Sequence, residues 1–312
     1  MRVVSWMILA LSCLVILGLL YYLVVGKILF KIAFSHKSKQ KRVKKKNLDS
    51  ELKKHKIDLC WWQKQKTKKF EIKSYDGTNL VGNFLDNKSS KCAIIFHGYG
   101  QTYEETSLFC KMFSDKNFNV LAVESRAHNS SGGNIVSLGL FEKDDVVAWA
   151  NFFAEKFPDQ KIVLFGGSMG AMAVCGASGE NLPKNVVAII SDSAYSNAVE
   201  QIDFTLKRFG IFKNIIKKHL LSFSKHVYQL DLAKADVCGL VKKTQVPILY
   251  IHCTGDTIVP VENAQKLYSA TPQNLREVYI IDGADHLRGY AQEGVEYEKR
   301  VNDFLKKRTP IQ

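Results

Sequence analysis

The stretch "IVLFGGSMGAMA", residues 162–173, decides how this chain folds. It opens with Ile, Val, Leu and Phe, and a short apolar run of this kind predicts a buried β-strand. Gly166 and Gly170 then stand two residues before and two residues after Ser168, and small residues that favour a helix follow. This spacing is typical of a sharp strand-to-helix turn that crowds its neighbours and projects one hydroxyl from the backbone.

Short apolar runs and helical stretches alternate on both sides of this turn. The predicted strands are 92–98, 118–125, 161–166, 186–191, 247–253 and 277–282. The predicted helices are 103–116, 141–156, 169–179, 261–270 and 291–307. Continuous Val, Ile, Leu and Phe runs are typical of parallel strands that are covered on both faces. With a hairpin signal at Asp76-Gly77, the sequence predicts an α/β fold: a doubly wound, mostly parallel sheet opened by an antiparallel hairpin.

One connection is too long for this pattern. About 49 residues separate two predicted strands between Asn197 and Gln245, whereas such loops usually need about 2 to 6 residues. Residues 202–227 have helical apolar spacing and several lysines. We therefore predict a helical cap over about 197–246. Basic amphipathic helices either pack as a lid or rest on a membrane surface, and the sequence favours the lid as the usual globular pattern.

The N-terminal segment is apolar and differs from the rest of the chain. Residues 3–26 carry no charge, and as a helix they would span about 36 Å, against about 30 Å for a bilayer core. A cleaved signal peptide has a shorter apolar core and a small-residue cleavage site, and neither fits well. We predict a transmembrane anchor over 1–30 and a basic linker over 31–56.

The net charge of +14 is concentrated at the same end of the chain. Residues 1–56 carry +11 and the remaining 256 residues carry only +3. A nucleic-acid partner would require a basic patch on the folded body, so we expect none. Nine Lys or Arg side chains follow the apolar segment closely and only Arg2 precedes it. This bias predicts a single-pass cell-membrane protein whose body lies in the cytoplasm, with the extracellular side as the alternative, and a basic stretch that can lie on anionic headgroups.

Cysteine usage argues against a disulfide framework and a zinc site. The chain has seven cysteines at wide spacing, without a CxxC or CxxH pair. We expect no metal and no organic cofactor.

The serine at the turn needs a base, and the base needs an orienting acid, because a serine hydroxyl is a weak nucleophile. His286 follows the last predicted strand, and Asp256 follows the strand that ends near Cys253. In a parallel sheet both loops lie at the same edge as the serine turn. We therefore predict a Ser168, Asp256, His286 triad. Three other carboxylates are rivals for the acid: Asp192, Asp282 and Asp285.

An oxyanion formed at this serine needs two N–H donors. The loop "FHGYGQT" follows the strand that ends near Phe96, and its glycines allow close backbone approach. We assign the donors to the backbone N–H groups of Tyr99 and Met169. Three further histidines are interpreted as structural: His97, His128 and His252.

At these residues the chain resembles the α/β-hydrolase superfamily, and most closely its membrane-anchored bacterial members related to the monoacylglycerol-lipase and serine-aminopeptidase branch. The matching pieces are "SYDGTNLVG", "IIFHGYGQT", "VESRAHNSSGG", "FGGSMGA", "PILYIHCTGDTIVP" and "DGADH". The resemblance covers about 57–308 and implies a hydrolase domain over 57–312, with the triad and oxyanion donors named above. The chain differs from the family's usual Asp-x-Arg-Gly-His-Gly at 124–129 and from its usual His-Gly at 252–253. The resemblance therefore implies no particular substrate.

The expected function is that of a serine hydrolase acting on a small acyl substrate. It would cleave a carboxylic ester, lipid-like or short, through an acyl-serine intermediate. A peptidase of the same fold uses the same residues, and a membrane-tethered binding protein that has lost turnover keeps the same scaffold. The sequence makes no prediction of oligomeric state.

Overall fold

An eight-stranded sheet forms the centre of the computed structural model, which describes residues 2–35 and 60–309. The strands are β1 Thr67–Lys73, β2 Asn79–Leu85, β3 Lys91–Phe96, β4 Asn119–Glu124, β5 Lys161–Gly167, β6 Val186–Asp192, β7 Ile248–Cys253 and β8 Arg276–Ile281. Their order is β1-β2-β4-β3-β5-β6-β7-β8. β2 pairs antiparallel with β1 and β4, and all other neighbours are parallel. The predicted opening hairpin and mostly parallel sheet are therefore confirmed.

Helices cover both faces of this sheet. They are α1 Arg2–Phe34, α2 Cys60–Gln63, α3 Ser107–Asp115, α4 Glu142–Lys156, α5 Met169–Ala177, α6 Ala198–Leu206, α7 Lys213–Tyr228, α8 Val237–Val241, α9 Glu262–Ala270 and α10 Gly289–Arg308. Short 3₁₀ turns occupy Glu104–Thr106, Lys207–Phe212, Leu232–Lys234 and Gln273–Leu275. Every residue of β4 and β7 is buried, which explains why the middle of β4, residues 120–123, and the first four residues of β7, 248–251, are apolar.

Two apolar layers hold the helices to the sheet. On one face, Trp149 and Phe153 of α4 pack with α5 and the inserted helices. On the other face, Phe113 of α3 packs with Tyr297 and Phe304 of α10. The inserted helices α6, α7 and α8 lie between β6 and β7, in the region predicted for the cap. The carboxyl ends of the parallel strands remain at one edge, where the site is built.

The N-terminal helix is longer than the predicted anchor. α1 has 33 residues and is the one helix in 2–35 and 60–309 that is long and apolar enough to cross a membrane. Its residues 2–21 are exposed, whereas Phe30 and Phe34 are buried in the layer that contains α4 and α5. The predicted linker therefore begins inside the helix, and its residues 36–56 lie outside the described residues.

Candidate active site

The serine turn is the tightest backbone feature of the site. β5 ends at Gly167, α5 begins at Met169, and Ser168 between them has φ 54° and ψ −114°. A side-chain-bearing residue at positive φ is strained, and such strain persists only where the surroundings fix it. The N–H of Ser168 donates to the carbonyl oxygen of Asp192 at 2.8 Å, which ties the turn to the end of β6.

The glycines of the turn are required for different reasons. A Cβ on Gly166 would lie 2.2 Å from the carbonyl oxygen of Gly170, and a Cβ on Gly170 would lie 2.2 Å from the carbonyl oxygen of Phe96. Both contacts are with backbone and cannot relax easily. A Cβ on Gly167 would meet its nearest atom, on the Leu287 side chain, at 3.4 Å. The two glycines of the sequence motif are therefore needed for close packing, and the third is not.

The predicted acid and base are joined directly. Nδ1 of His286 donates to Oδ2 of Asp256 at 2.6 Å. The other carboxylate oxygen accepts the N–H groups of Ile258 at 2.9 Å and Val259 at 2.8 Å. With Nδ1 occupied as a donor, Nε2 is the ring nitrogen left to take a proton.

Asp256 is held in its charged form. Burial by itself raises the pKa of its carboxyl, but hydrogen bonds from His252 and His286 outweigh that effect and hold the pKa well below the usual aspartate range. The carboxylate therefore remains ionised at neutral pH and stabilises positive charge on the imidazole of His286.

His252 is a second histidine on the same carboxylate. Its Nε2 lies 2.9 Å from the carbonyl oxygen of Val259 and 3.3 Å from Oδ2 of Asp256. The ring is buried on β7, four residues before the acid. His252 thus helps to hold the Asp256 loop in place. Sequence reasoning assigned His252 a structural role and missed this contact, because chain spacing alone does not show which atoms meet.

The base loop packs against the serine turn. Leu287, the residue after His286, is the side chain nearest to Gly167, the residue before Ser168. No hydrogen bond joins Ser168 Oγ to His286 within residues 60–309. Catalytic hydrogen bonds are often long in unliganded sites and tighten when substrate binds.

The rival acids have other partners. Asp192 is buried and accepts hydrogen bonds from Tyr297 and Ser193, both at 2.9 Å, and burial raises the pKa of its carboxyl despite them. Asp282 accepts the Thr254 hydroxyl at 2.8 Å. Asp285 accepts the backbone N–H of His286 at 2.7 Å, and not a ring nitrogen. Among these four carboxylates of the described residues, Asp256 is the one that accepts a hydrogen bond from the imidazole of His286.

The predicted oxyanion residues lie together. Tyr99 packs against Met169 in a small apolar cluster that also contains Ala127 and Val136. A Cβ on Gly98 would lie 3.2 Å from Cβ of Ser168, so the Tyr99 loop runs directly beside Ser168. Met169 begins α5, and the N–H groups of a first helical turn have no partner within the helix.

Two side chains hold the Tyr99 loop in place. The N–H of Gly98 donates to Oε1 of Gln101 at 2.8 Å, and the N–H of Gly100 donates to Nε2 of His128 at 3.0 Å. The backbone is therefore fixed on both sides of Tyr99. Gln101 was not predicted from the sequence. The signal that could have found it is its place within the loop motif "HGYGQT".

His97 bonds to backbone groups, and the described ranges contain no metal site. His97 is buried, its Nδ1 donates to the Gly98 carbonyl at 2.8 Å, and its Nε2 accepts the Ser125 N–H at 3.1 Å. Six cysteines in the described ranges carry free thiols. Across those ranges no three His, Cys, Asp or Glu side chains are grouped as a metal site requires.

Known proteins are similar to this chain over much of their length. A family model described as "alpha/beta hydrolase fold" matches residues 94–215. The uncharacterized protein YqkD of Bacillus subtilis is 25% identical over 295 residues, which cover 91% of this chain and 94% of YqkD. The uncharacterized protein YfhR of Escherichia coli K12 is 24% identical, covering 75% of this chain and 79% of YfhR.

A solved structure extends the comparison to three dimensions. The Pyrococcus furiosus esterase Pf2001 superposes with a TM-score of 0.66 at 25% identity, covering 80% of this chain and 96% of the esterase. The sheet order, the strained serine turn and these matches agree with one another. The chain has the α/β-hydrolase fold, with a mostly parallel eight-stranded sheet.

Proposed function

We propose that this protein is a serine hydrolase that cleaves a carboxylic ester through an acyl-serine intermediate. The observation that carries the proposal is the 2.6 Å hydrogen bond between His286 and Asp256, in a loop that packs on the strained turn of Ser168. The similarity to an esterase structure supports the ester as substrate.

The first step forms the acyl-enzyme. Nε2 of His286 takes the proton of the Ser168 hydroxyl while Oγ attacks the ester carbonyl. The N–H groups of Tyr99 and Met169 stabilise the oxyanion of the tetrahedral intermediate. The protonated His286 then gives its proton to the leaving alcohol, and Asp256 stabilises the imidazolium throughout.

The second step hydrolyses the acyl-enzyme. His286 removes a proton from water, and the resulting nucleophile attacks the acyl carbonyl of the Ser168 ester. The intermediate collapses, Oγ leaves as it regains a proton from His286, and the carboxylic acid departs.

The proposal includes a retained membrane anchor. The Tyr99 hydroxyl donates to the Ala33 carbonyl at 2.9 Å, and the Val136 N–H donates to the Phe34 carbonyl at 3.0 Å. Removal of α1 as a signal peptide would take away these contacts with the Tyr99 loop and the buried rings of Phe30 and Phe34. The lysine bias favours the cytoplasm for the body, with the extracellular side as the alternative, and protease treatment of intact cells distinguishes the two faces.

The test of the activity is turnover of a short p-nitrophenyl ester by the full chain in detergent. Ser168→Ala should lower kcat by at least about 10³-fold, because the nucleophile is lost. The matched control is Ser269→Ala, since Ser269 is an exposed serine on α9. Undiminished turnover by Ser168→Ala refutes the assignment.

A peptidase reaction would use the same residues, so substrate panels must separate the two. An aminopeptidase subsite for a substrate ammonium group needs a carboxylate, and residues 204–228 of the cap contain no Asp or Glu. We expect p-nitrophenyl esters to be cleaved and aminoacyl p-nitroanilides to be left intact. The reverse preference would replace the ester with an amide. Labelling by a fluorophosphonate excludes the non-catalytic binding protein.

A further inference from the structure

The cap ends in an exposed apolar surface. We call residues 209–215 the cap tip; its large apolar side chains are Phe209, Ile211, Phe212 and Ile215, and all four are exposed. Gly210 has φ 53°, a conformation that turns the chain sharply between two helical segments. Ile211 is 88% exposed. Adjacent large apolar side chains in water mark an interaction surface.

Basic side chains surround the cap tip. Residues 204–228 contain six Lys or Arg and no acid, and Asp203, just before them, pairs with two of the six, Lys213 at 2.9 Å and Lys217 at 2.5 Å. The Lys207 ammonium lies 4.7 Å from the ring centre of Phe204, and the Arg208 guanidinium lies 5.1 Å from that of Phe209. An apolar ridge bordered by cations suits the boundary between anionic headgroups and acyl chains.

The cap helix α7 runs alongside the N-terminal helix in the same direction. The rings of Tyr22 and His219 have centroids 5.0 Å apart, and those of Phe30 and Tyr228 stack at 3.8 Å. Between them, a Cβ on Gly26 would lie 2.1 Å from the Phe223 ring. Residue numbers rise together along both helices, so the start of α7 points toward the N-terminal end of α1.

This register gives the depth of the cap tip. A helix rises about 1.5 Å per residue, so Ile215 and Phe212 lie about 6 and 10 Å beyond the level of His219, and hence of Tyr22, toward the start of α1. A bilayer core takes about 20 helical residues, which from Arg2 end near Tyr22. Residues of α1 at the level of the tip are exposed and apolar.

We propose that the cap tip inserts into the membrane beside α1, at the boundary of headgroups and acyl chains in the leaflet on the side of the body. The inference rests on the anchorage put forward under Proposed function. The cap tip then contacts lipid itself, in addition to the N-terminal helix and the basic arm. This insertion also sets the site close to the bilayer: Ala33, where α1 meets Tyr99, lies eleven positions after Tyr22, or about 16 Å along the helix. Esters held in the bilayer are therefore the substrates this arrangement favours.

The direct test measures depth without any need for activity. Ile211→Trp and Val295→Trp replace two residues that are each 88% exposed, on the cap tip and on α10 across the sheet. The full chain is reconstituted in phosphatidylcholine–phosphatidylglycerol vesicles, with and without brominated acyl chains, and the parent signal is subtracted. We expect strong quenching of the added tryptophan at 211 and little at 295. Equal quenching of the two overturns the proposal.

A second test separates this inference from the proposed activity. Ile211→Glu should lower turnover of a long-chain ester held in vesicles at least tenfold and leave turnover of a soluble ester in detergent unchanged, whereas Val295→Glu should change neither. Equal loss on both substrates would mean that the tip acts in folding and would contradict membrane insertion. If the parent protein hydrolyses nothing, the hydrolase proposal fails, and the quenching result still decides the cap tip. If alkaline carbonate extracts the parent protein from membranes, the anchorage fails and insertion fails with it.

Discussion

Phe34 tests whether the N-terminal helix is part of the folded body. Its side chain is fully buried at 0% exposure, in the layer that holds α4 and α5 against the sheet. Truncating a buried Phe to Ala costs about 3–5 kcal/mol, because transfer free energy is lost and a cavity remains. For a domain of this size each kcal/mol lowers Tm by about 2–4 °C. Phe34→Ala should therefore lower Tm by about 6–20 °C.

The assay is thermal unfolding of the full chain in detergent, followed by tryptophan fluorescence, with Trp149 in the core as a reporter. Ile32→Ala is the matched control, because Ile32 lies in the same helical turn but is 57% exposed. Exposed substitutions usually change stability by no more than about 0.5 kcal/mol, so the control should stay within about 2 °C. A Phe34→Ala protein as stable as its control would mean that α1 does not pack on the body, and the argument for a retained anchor would lose its evidence.

Three further predictions concern the site. Gly166→Ala should lower Tm and activity strongly, since its Cβ would lie 2.2 Å from a backbone oxygen, whereas Gly167→Ala should keep both, since its nearest neighbour would lie 3.4 Å away; equal behaviour in Tm scans and ester assays would contradict the packing argument. Asp256 has a pKa lowered by folding, so its stabilisation is present above the unfolded value of about 4 and is lost as pH falls below it. The Tm difference between the parent protein and Asp256→Asn should therefore be larger at pH 7 than at pH 3. A Tm difference that is larger at pH 3 would contradict this prediction. Gln101→Ala removes the acceptor that holds the N–H of Gly98 and should lower kcat about fivefold with little change in KM, as expected for loss of about 1 kcal/mol; a rise in KM alone would assign the residue to substrate binding.

The fold was predictable because burial within the sheet determines which positions of the sequence are apolar. Strands such as β4 and β7 are buried along their whole length, so their sequences show it directly. The helix α1 continues past residue 30, the end of the predicted anchor. Lys27 and Lys31 indicate the end of a lipid-facing span, but the helix continues to Phe34 because its last turns pack on protein. A sequence does not show whether an apolar ring faces lipid or a neighbouring helix.

The site was predictable only as far as loop position determines it. Ser168, Asp256 and His286 each follow a strand of one parallel sheet, so the topology alone brings their loops to one edge. The contacts of Gln101 and His252 depend on which side-chain atoms meet across loops, and no spacing rule encodes that. The register of α1 on α7 was likewise invisible, because the two helices are far apart in the chain.

The central claim is that one activated serine carries the chemistry. The most direct measurement treats the full chain in detergent with a fluorophosphonate and maps the adduct by peptide mass spectrometry. The account predicts a single adduct on Ser168, which disappears in Ser168→Ala and weakens strongly in His286→Ala. An unlabelled protein, or an adduct on another serine that survives Ser168→Ala, would contradict it.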